Sequence, residues 1–272
     1  MLKTTLLALG MLVPVGLSGH LHAAPATPSP AIQPGDIEVR TVKITTKDKL
    51  ELEADYYAQD EDERAPAALL IHDAGADRST LTDLAERLHR TGFAVLVPDL
   101  RGHGASVAKP EEAFAKLEED EDKARLWAFA TRDIDAAARW LRAQKSVHSA
   151  NLNLLGVGAG CALAVRHGAG DENARSLTLI APKAEMLGFH LADDMYDLEG
   201  VPMQFIASRE SKKDVQELAD EIHKSLGVKE EFIDVSALSA KKDKDLLGDR
   251  RLETTVSKPL KEIAFPQRGG RR

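Results

Sequence analysis

The sequence predicts an α/β fold in which helices cover both faces of a mainly parallel sheet. Short, continuously apolar runs alternate with amphipathic helical patterns along most of the 272-residue chain. Such apolar runs are typical of parallel strands that are buried on both faces, and their alternation with helices predicts a doubly wound arrangement. With 43% hydrophobic residues, the chain can bury the core of one large domain.

The first two predicted strands form an antiparallel hairpin. Residues 37–44 and 50–57 flank a short polar turn, and apolar residues alternate with acidic ones from Leu50 to Asp55. This period-two pattern is typical of a strand with one exposed face. The parallel strands are predicted at 67–71, 93–97, 152–155, 177–181, 203–207 and 231–235. Helices with one apolar face are predicted around 81–88, 127–141 and 215–226.

The N-terminal segment is predicted to direct export. After Lys3 the chain has no Asp, Glu, Lys or Arg before Asp36, and its most apolar part, residues 6–17, has the length of a signal-peptide core. We therefore expect a signal peptide over 1–26, a Pro-rich linker over 27–36, a single domain over 37–265 and a basic tail over 266–272. The expected location is periplasmic or secreted.

The composition argues against several classes of function. The formal net charge is −8 and aromatic residues make up only 4% of the chain, whereas nucleic-acid-binding proteins present basic stripes or stacking rings. The single cysteine, Cys161, excludes a disulfide framework and a cysteine-based metal cluster. No apolar run reaches the roughly 18 residues of a membrane-spanning helix. We expect no nucleic acid, no cofactor and no metal; the partner is an unidentified small molecule or protein.

Three motifs follow successive predicted strands. The first is His72-Asp73-Ala74-Gly75, the second runs from Pro98 to Ser106 and reads P-D-L-R-G-H-G-A-S, and the third, 152–160, reads L-N-L-L-G-V-G-A-G. In order and spacing they resemble the H-G-x-G, P-D-x-R-G-H-G-x-S and G-x-S-x-G motifs of the α/β-hydrolase superfamily of serine hydrolases and esterases. The resemblance covers about residues 37–235. It implies a doubly wound, mainly parallel sheet of α/β-hydrolase type, with little or no lid.

The resemblance also implies a degenerate catalytic triad. Gly158 stands at the nucleophile position, and glycine has no side chain with which to attack a carbonyl. Glycine does tolerate the strained backbone of the nucleophile turn. The loop after the last predicted strand, where the superfamily places its general base, has no histidine; the last histidine of the chain is His223. Only Glu210 keeps an acid at a triad position.

The expected oxyanion hole raises a question of charge. The resemblance assigns its two donors to the backbone amides of Ala74 and Ala159, but Asp73 replaces the usual glycine beside it. An ionised carboxylate there would oppose the negative charge that develops in acyl transfer. His72 and His103 are, with Asp73, candidates for lining the pocket. The stretch 156–160 departs from dinucleotide-binding spacing because Cys161 takes the third glycine position.

Two functional hypotheses follow. The first is an exported protein that has lost hydrolytic activity and acts as a binding or scaffold protein. On this hypothesis Gly158→Ser alone restores no esterase activity and lowers the stability by about 1 kcal/mol, because the backbone of the turn is strained. The alternative is an active ester or amide hydrolase with relocated catalytic residues. Its candidate nucleophiles are Ser106, Ser208 and Ser211, and its candidate bases are His72, His103 and His190.

Overall fold

The computed structural model of the chain describes residues 37–62 and 64–266. The expected signal peptide (1–26), the linker (27–36) and the basic tail from residue 267 onward lie outside the described residues. Within the described part, no helix is long and apolar enough to cross a membrane.

Ten strands and six α-helices alternate along the described chain. The strands are β1 Val39–Thr45, β2 Glu51–Tyr57, β3 Ala65–Ile71, β4 Ala94–Pro98, β5 Val147–Val157, β6 Ala174–Ile180, β7 Glu185–Met186, β8 Phe189–His190, β9 Met203–Ala207 and β10 Ile233–Ala237. The helices are α1 Thr82–Arg90, α2 Asp120–Phe129, α3 Thr131–Arg142, α4 Gly160–Ala169, α5 Lys212–Leu226 and α6 Leu252–Ala264. Short 3₁₀ helices occur at Arg78–Leu81, Pro110–Glu112, Phe114–Lys116, Leu191–Asp194, Tyr196–Leu198, Glu230–Phe232 and Asp243–Gly248.

Eight of these strands form one sheet in the order β1-β2-β4-β3-β5-β6-β9-β10. The pairs β1–β2 and β2–β4 are antiparallel, and every other pair is parallel. The predicted fold class, a mainly parallel sheet with an antiparallel N-terminal hairpin, is therefore confirmed. The connection between β6 and β9 holds only the β7–β8 hairpin and two 3₁₀ helices, which agrees with the expectation of little or no lid.

The core lies on both faces of the sheet, as the apolar strands require. Every residue of β3 and β4 is buried. Leu69 and Ile71 of β3 face a cluster built with α2, α3, α4 and α5, whereas Ala68 and Leu70 face a cluster built with α1 and α6. Each fully buried leucine or isoleucine contributes roughly 1.5–3 kcal/mol by removing apolar surface from water. The two layers hold the carboxyl ends of the central strands in fixed positions.

The structure differs from the predicted elements in several places. The helix predicted around 127–141 is divided at Ala130 into α2 and α3. Helix α6 was not predicted, and it covers the sheet beside α1. Strand β5 begins at Val147 rather than at residue 152, with a register shift against β6 between Leu152 and Asn153. The last strand starts at Ile233 rather than 231, because residues 230–232 form a 3₁₀ turn before Ile233 pairs with Met203 of β9.

Candidate functional site

A sharp turn joins β5 to α4 at the centre of the sheet. Gly158 lies in this turn with φ +54°, a left-handed conformation that L side chains rarely adopt. Its N–H donates to the Ile180 carbonyl of the neighbouring strand at 2.9 Å. Two residues later, a Cβ on Gly160 would lie 2.6 Å from the His72 carbonyl oxygen, so close packing against the end of β3 also requires glycine there. The turn has the geometry of a nucleophile elbow without the nucleophile.

The Asp73 carboxylate is bound by the amides of two residues that lie at the ends of β3 and β5. Its Oδ1 accepts hydrogen bonds from the amide of Ala74 and from the amide of Ala159, each at 2.8 Å. These are the two donors that the resemblance assigns to the oxyanion hole. Ala159 is also the N-cap residue of α4, whose first turn contains no acidic residue. The carboxylate thus satisfies amide donors at a helix N-terminus, where negative charge is favoured.

The Asp73 carboxylate also fills the space of a side chain at position 158. A Cβ built on Gly158 would lie 2.2 Å from Asp73 Oδ1 and 2.5 Å from its Oδ2. Real Cβ atoms do not approach oxygens so closely, so a side chain at 158 would displace the carboxylate from both amides. The position of the Asp73 carboxylate therefore requires glycine at position 158. This dependence could not be predicted from the sequence, because the sequence does not show where the Asp73 side chain points.

His72 and His103 do not line a cleft. Each is almost fully buried, at 0% and 4% exposure. Nε2 of His72 accepts from the Leu100 amide, and Nε2 of His103 accepts from the Gly75 amide, both at 3.0 Å. Their Nδ1 atoms lie 2.8 and 2.9 Å from the Asp73 and Arg101 carbonyl oxygens. Burial lowers the pKa of His72 to about 4 and also lowers the pKa of His103. Both side chains are neutral, and their hydrogen bonds connect the first motif to the second.

Buried ion pairs fix the turn that follows β4. The Arg101 guanidinium lies 2.6 Å from Oδ1 of Asp133, which has no exposed surface, and 3.0 Å from Oδ2 of Asp48. Asp99 accepts hydrogen bonds from the Arg78 and Ala105 amides at 2.8 and 2.7 Å and also pairs with the Arg78 guanidinium. The P-D-L-R-G-H-G-A-S motif therefore serves to support the turn rather than to present reactive groups.

The loops that would hold the acid and the base of a triad carry other groups. Glu210 is exposed to solvent. The loop after β10 contributes Asp243, and Oδ1 of Asp243 accepts a hydrogen bond from the Ser211 hydroxyl. Where a triad would have an acid paired to an imidazole, this chain pairs a serine with an aspartate. These two loops, which lie wholly within the described residues, contain no imidazole to take a proton from a nucleophile.

The serines of the alternative hypothesis do not contact a histidine. Ser106 is buried, and its Oγ accepts from the Glu53 amide at 2.9 Å. Ser208 is fully buried and its Oγ lies 3.3 Å from Oγ of Ser211. His190 is exposed in β8, with Nδ1 3.2 Å from a Glu185 carboxylate oxygen. Across residues 37–62 and 64–266, no histidine ring nitrogen is hydrogen-bonded to a hydroxyl or a thiol.

Cys161 does not supply a nucleophile either. It is buried under the turn, and its thiol contacts the Gly156 and Ile180 carbonyl oxygens at 3.2 and 3.5 Å. Burial raises the pKa of this thiol well above its ordinary value, and the Asp73 charge adds to the effect. A thiol of this kind is inert. Among the residues described, no group of three or more His, Cys, Asp or Glu side chains is arranged to hold a metal ion.

A cleft of about 340 Å³ opens above the turn. Asp73 and Gly158 lie within its lining. Its apolar lining comes from Val157, Ala181, Met186 and Leu247, and its charged lining includes Lys183, Asp243 and Lys244. The sequence pointed to Asp73 but missed Asp243 and the two lysines, because they lie in loops whose motifs carry no recognisable chemistry.

Comparison with solved structures agrees with this geometry. An esterase of Pyrococcus furiosus superposes with a TM-score of 0.63 at 16% identity, over 84% of this chain and 92% of the esterase. A putative dienelactone hydrolase from Klebsiella pneumoniae subsp. pneumoniae MGH 78578 superposes with a TM-score of 0.65 at 14% identity, over 85% of this chain and 99% of that protein. The chain therefore has the α/β-hydrolase fold.

Two comparisons of sequence cover a smaller part of the chain than the structural superpositions do. The model of the dienelactone hydrolase family matches residues 53–180, just under half of the chain. An uncharacterized protein of Mycobacterium tuberculosis strain H37Rv is 30% identical over 126 residues. That match covers 46% of this chain and only 40% of the relative's length. The match to the family model includes the turn at Gly158.

Proposed function

We propose that this chain is a pseudoenzyme: a non-hydrolytic binding protein built on the α/β-hydrolase fold. The observation that supports the proposal best is that Asp73 Oδ1 accepts both amides of the oxyanion hole. An acyl-transfer site needs those amides free to bind the oxygen that becomes negative. Here a negatively charged oxygen of the protein itself is bound to them.

Three parts of the machinery are lost together, and the losses are large. Removing the nucleophile alone from a serine protease lowers kcat by roughly 10⁶-fold, and losing one oxyanion-hole donor costs roughly 10²–10³-fold. This chain has glycine at the nucleophile position, no histidine in the loop after β10, and a blocked oxyanion hole. A single substitution does not restore such a site, which favours a role in binding.

The named relatives raise the alternative of hydrolysis. They are an esterase and a putative dienelactone hydrolase, at identities of 16% and 14%. We propose that the chain is a non-catalytic relative of the dienelactone hydrolases. Relocated catalysis of the serine–histidine type would need a serine in contact with an imidazole, and the described residues offer no such pair; Ser211 contacts a carboxylate instead. Hydrolysis is therefore the outcome of the labelling and turnover experiment that would contradict the proposal.

We propose further that the protein acts outside the cytoplasm. The support is the uncharged, apolar segment that follows Lys3. Expression of the full chain, followed by cell fractionation and mass measurement of the N-terminus, tests this step independently of the site. A cytoplasmic protein that retains residues 1–26 would contradict it.

A labelling experiment tests the absence of hydrolysis. The purified protein is incubated with a fluorophosphonate probe and, separately, with p-nitrophenyl acetate and butyrate, beside an active serine hydrolase as positive control. We expect no serine labelling and no turnover above that of the heat-denatured protein. Stoichiometric labelling that disappears in one of the variants Ser106→Ala, Ser208→Ala or Ser211→Ala would overturn the proposal and identify the nucleophile.

A further inference from the structure

The cleft above Gly158 presents one oxygen of the Asp73 carboxylate, Oδ2, that has no hydrogen-bond partner among the described residues. Asp73 Oδ1 is engaged by two amides, but Oδ2 accepts no hydrogen bond from the described part of the chain. This oxygen lies 2.5 Å from the position of a Cβ on Gly158, directly over the elbow where an active relative would carry its nucleophile. The centre of the cleft is thus a hydrogen-bond acceptor with negative charge.

The rest of the cleft is apolar near this oxygen and charged at its edge. Val157 and Ala181 are buried and Met186 and Leu247 are half-buried. Lys183 and Lys244 are exposed. Asp243 lines the same cleft, but one of its oxygens is already bound by the Ser211 hydroxyl. Asp73 is therefore the acidic group best placed to meet a ligand inside the cleft.

Resting on the proposed absence of hydrolysis, we propose that the cleft binds a small molecule through a primary ammonium group that donates to Asp73 Oδ2. An ionised carboxylate offers only acceptors, so its partner must be a donor, and a charged donor gives the stronger bond. The ligand's apolar body would pack on Val157, Ala181 and Met186. A volume of about 340 Å³ accommodates a ligand of modest size.

Other ligand classes fit this cleft less well. A ligand whose only charged group is a carboxylate or phosphate would be repelled by Asp73 over Gly158, and its favourable partners, Lys183 and Lys244, are exposed. An ester or amide carbonyl is an acceptor and finds both oxyanion-hole amides already occupied. The polarity of the cleft is thus the reverse of what an acyl substrate requires.

An NMR titration with matched probes tests the inference. The ¹⁵N-labelled protein is titrated at pH 7 and constant ionic strength with n-hexylamine, hexanoate and 6-aminohexanoate, and the amide signals of Ala74 and Ala159 are followed. We expect the amine to shift both signals saturably, with a Kd on the order of 1 mM for so small a probe. We expect hexanoate to bind at least tenfold more weakly.

The third probe distinguishes two sources of the ammonium group. Tighter binding of 6-aminohexanoate than of hexylamine would identify an amino-acid-like zwitterion, with its carboxylate at Lys183 or Lys244. Equal or weaker binding would identify a simple amine. In the first case, Lys183→Gln or Lys244→Gln should lower the affinity for 6-aminohexanoate and leave that for hexylamine unchanged.

The matched control for the charge is Asp73→Asn, in which the amide oxygen still accepts from Ala74 and Ala159. We expect it to lower hexylamine affinity at least tenfold, because a hydrogen bond to a charged group is lost. Equal binding of hexanoate and hexylamine, or no saturable shift with the amine in the wild-type protein, would overturn the inference. The wild-type titration decides the matter even where the variant folds poorly.

The inference and the proposed function can fail separately. An inert protein that does not bind the amine contradicts only the ligand class. A protein that turns over p-nitrophenyl esters contradicts the proposed function, whatever the titration shows.

Discussion

The carboxylate of Asp73 and the absent side chain of Gly158 occupy the same space. The distance from a Cβ on Gly158 to Asp73 Oδ1 would be 2.2 Å, and that oxygen is held by the amides of Ala74 and Ala159. One residue thus closes the oxyanion hole and requires glycine at the nucleophile position. The glycine at position 158 and the carboxylate bound to the two amides therefore form one structural unit.

The coupling is measurable as a stability difference. Gly158→Ala is expected to lower the free energy of unfolding by about 2–4 kcal/mol, from backbone strain plus the displaced carboxylate. In an Asp73→Gly background the same substitution should cost only about 1 kcal/mol. Urea denaturation of the four proteins gives the coupling energy. Gly227→Ala is the matched control, because Gly227 has φ +67° and no atom within 4 Å of its Cβ position. An equal cost at position 158 in both backgrounds would contradict the coupling.

We expect that a serine introduced at position 158 does not create a catalytic site. Gly158→Ser, alone and combined with Asp73→Gly, should leave p-nitrophenyl ester turnover at the background level. The double variant frees the oxyanion hole, but the loop after β10 still has no imidazole to activate the hydroxyl. Turnover and fluorophosphonate labelling are the measurements. Labelling of the introduced serine in either variant would show that a base exists elsewhere in the cleft.

His167 makes the stability of the fold depend on pH. Its Nδ1 lies 2.9 Å from Asp135 Oδ1 and its Nε2 lies 3.3 Å from Asp171 Oδ2. Burial alone would lower the pKa of His167, but the two carboxylates outweigh it and the pKa is raised. The folded state therefore holds the proton more tightly than the unfolded state. The resulting stabilisation is complete below the unfolded pKa of about 6.5 and is lost as the pH rises through the higher folded pKa.

His167→Gln removes this dependence. We expect Tm to fall less in the variant than in the wild-type protein between pH 6, which lies below the ordinary histidine pKa of about 6.5, and pH 9, which lies well above it. His190→Gln serves as the control, since the His190 side chain is 57% exposed. If the pH dependence of Tm persists in His167→Gln, or disappears in His190→Gln, a group other than His167 is responsible.

The buried pair of Arg101 and Asp133 supports the turn after β4. Asp133→Ala is expected to lower the free energy of unfolding by about 3 kcal/mol or more, because a buried guanidinium loses its main partner. Asp48→Ala should cost less, since Asp48 is 29% exposed. The double variant Arg101→Met with Asp133→Leu should recover part of the loss. Denaturant unfolding of these variants measures each loss in the free energy of unfolding. Equal losses for Asp133→Ala and Asp48→Ala would contradict the conclusion that Asp133 is the main partner of Arg101.

The sequence was sufficient for the scaffold and insufficient for the site. Apolar runs such as 203–207 predicted a strand correctly because burial on both faces leaves little choice of residue. Helix α6 was missed because it lies beyond the recognisable motifs and contains Pro259. The spacing of motifs placed Gly158 and the two amide donors, since the backbone of a strand–turn–helix is set locally.

What the sequence could not supply is the direction of one side chain. The rotamer of Asp73 is set by hydrogen bonds from two amides that come from different parts of the chain. One of them belongs to Ala159, which lies 86 positions after Asp73. The sequence-based estimate for Gly158→Ser, about 1 kcal/mol, counted only the strained backbone. The structure adds the displaced carboxylate. Similarly, His72 and His103 were expected to line the pocket, but both side chains are buried and accept hydrogen bonds from backbone amides.

Hydrogen–deuterium exchange at the amide of Ala159 tests the central claim most directly. This N–H donates to Asp73 Oδ1, whereas the neighbouring Gly158 amide donates to the Ile180 carbonyl and serves as an internal reference. We expect Ala159 to be protected in the wild-type protein and in Asp73→Asn, and to exchange at least tenfold faster in Asp73→Gly, with Gly158 unchanged. Unprotected Ala159 in the wild-type protein, or protection that persists in Asp73→Gly, would show that the carboxylate does not fill the oxyanion hole.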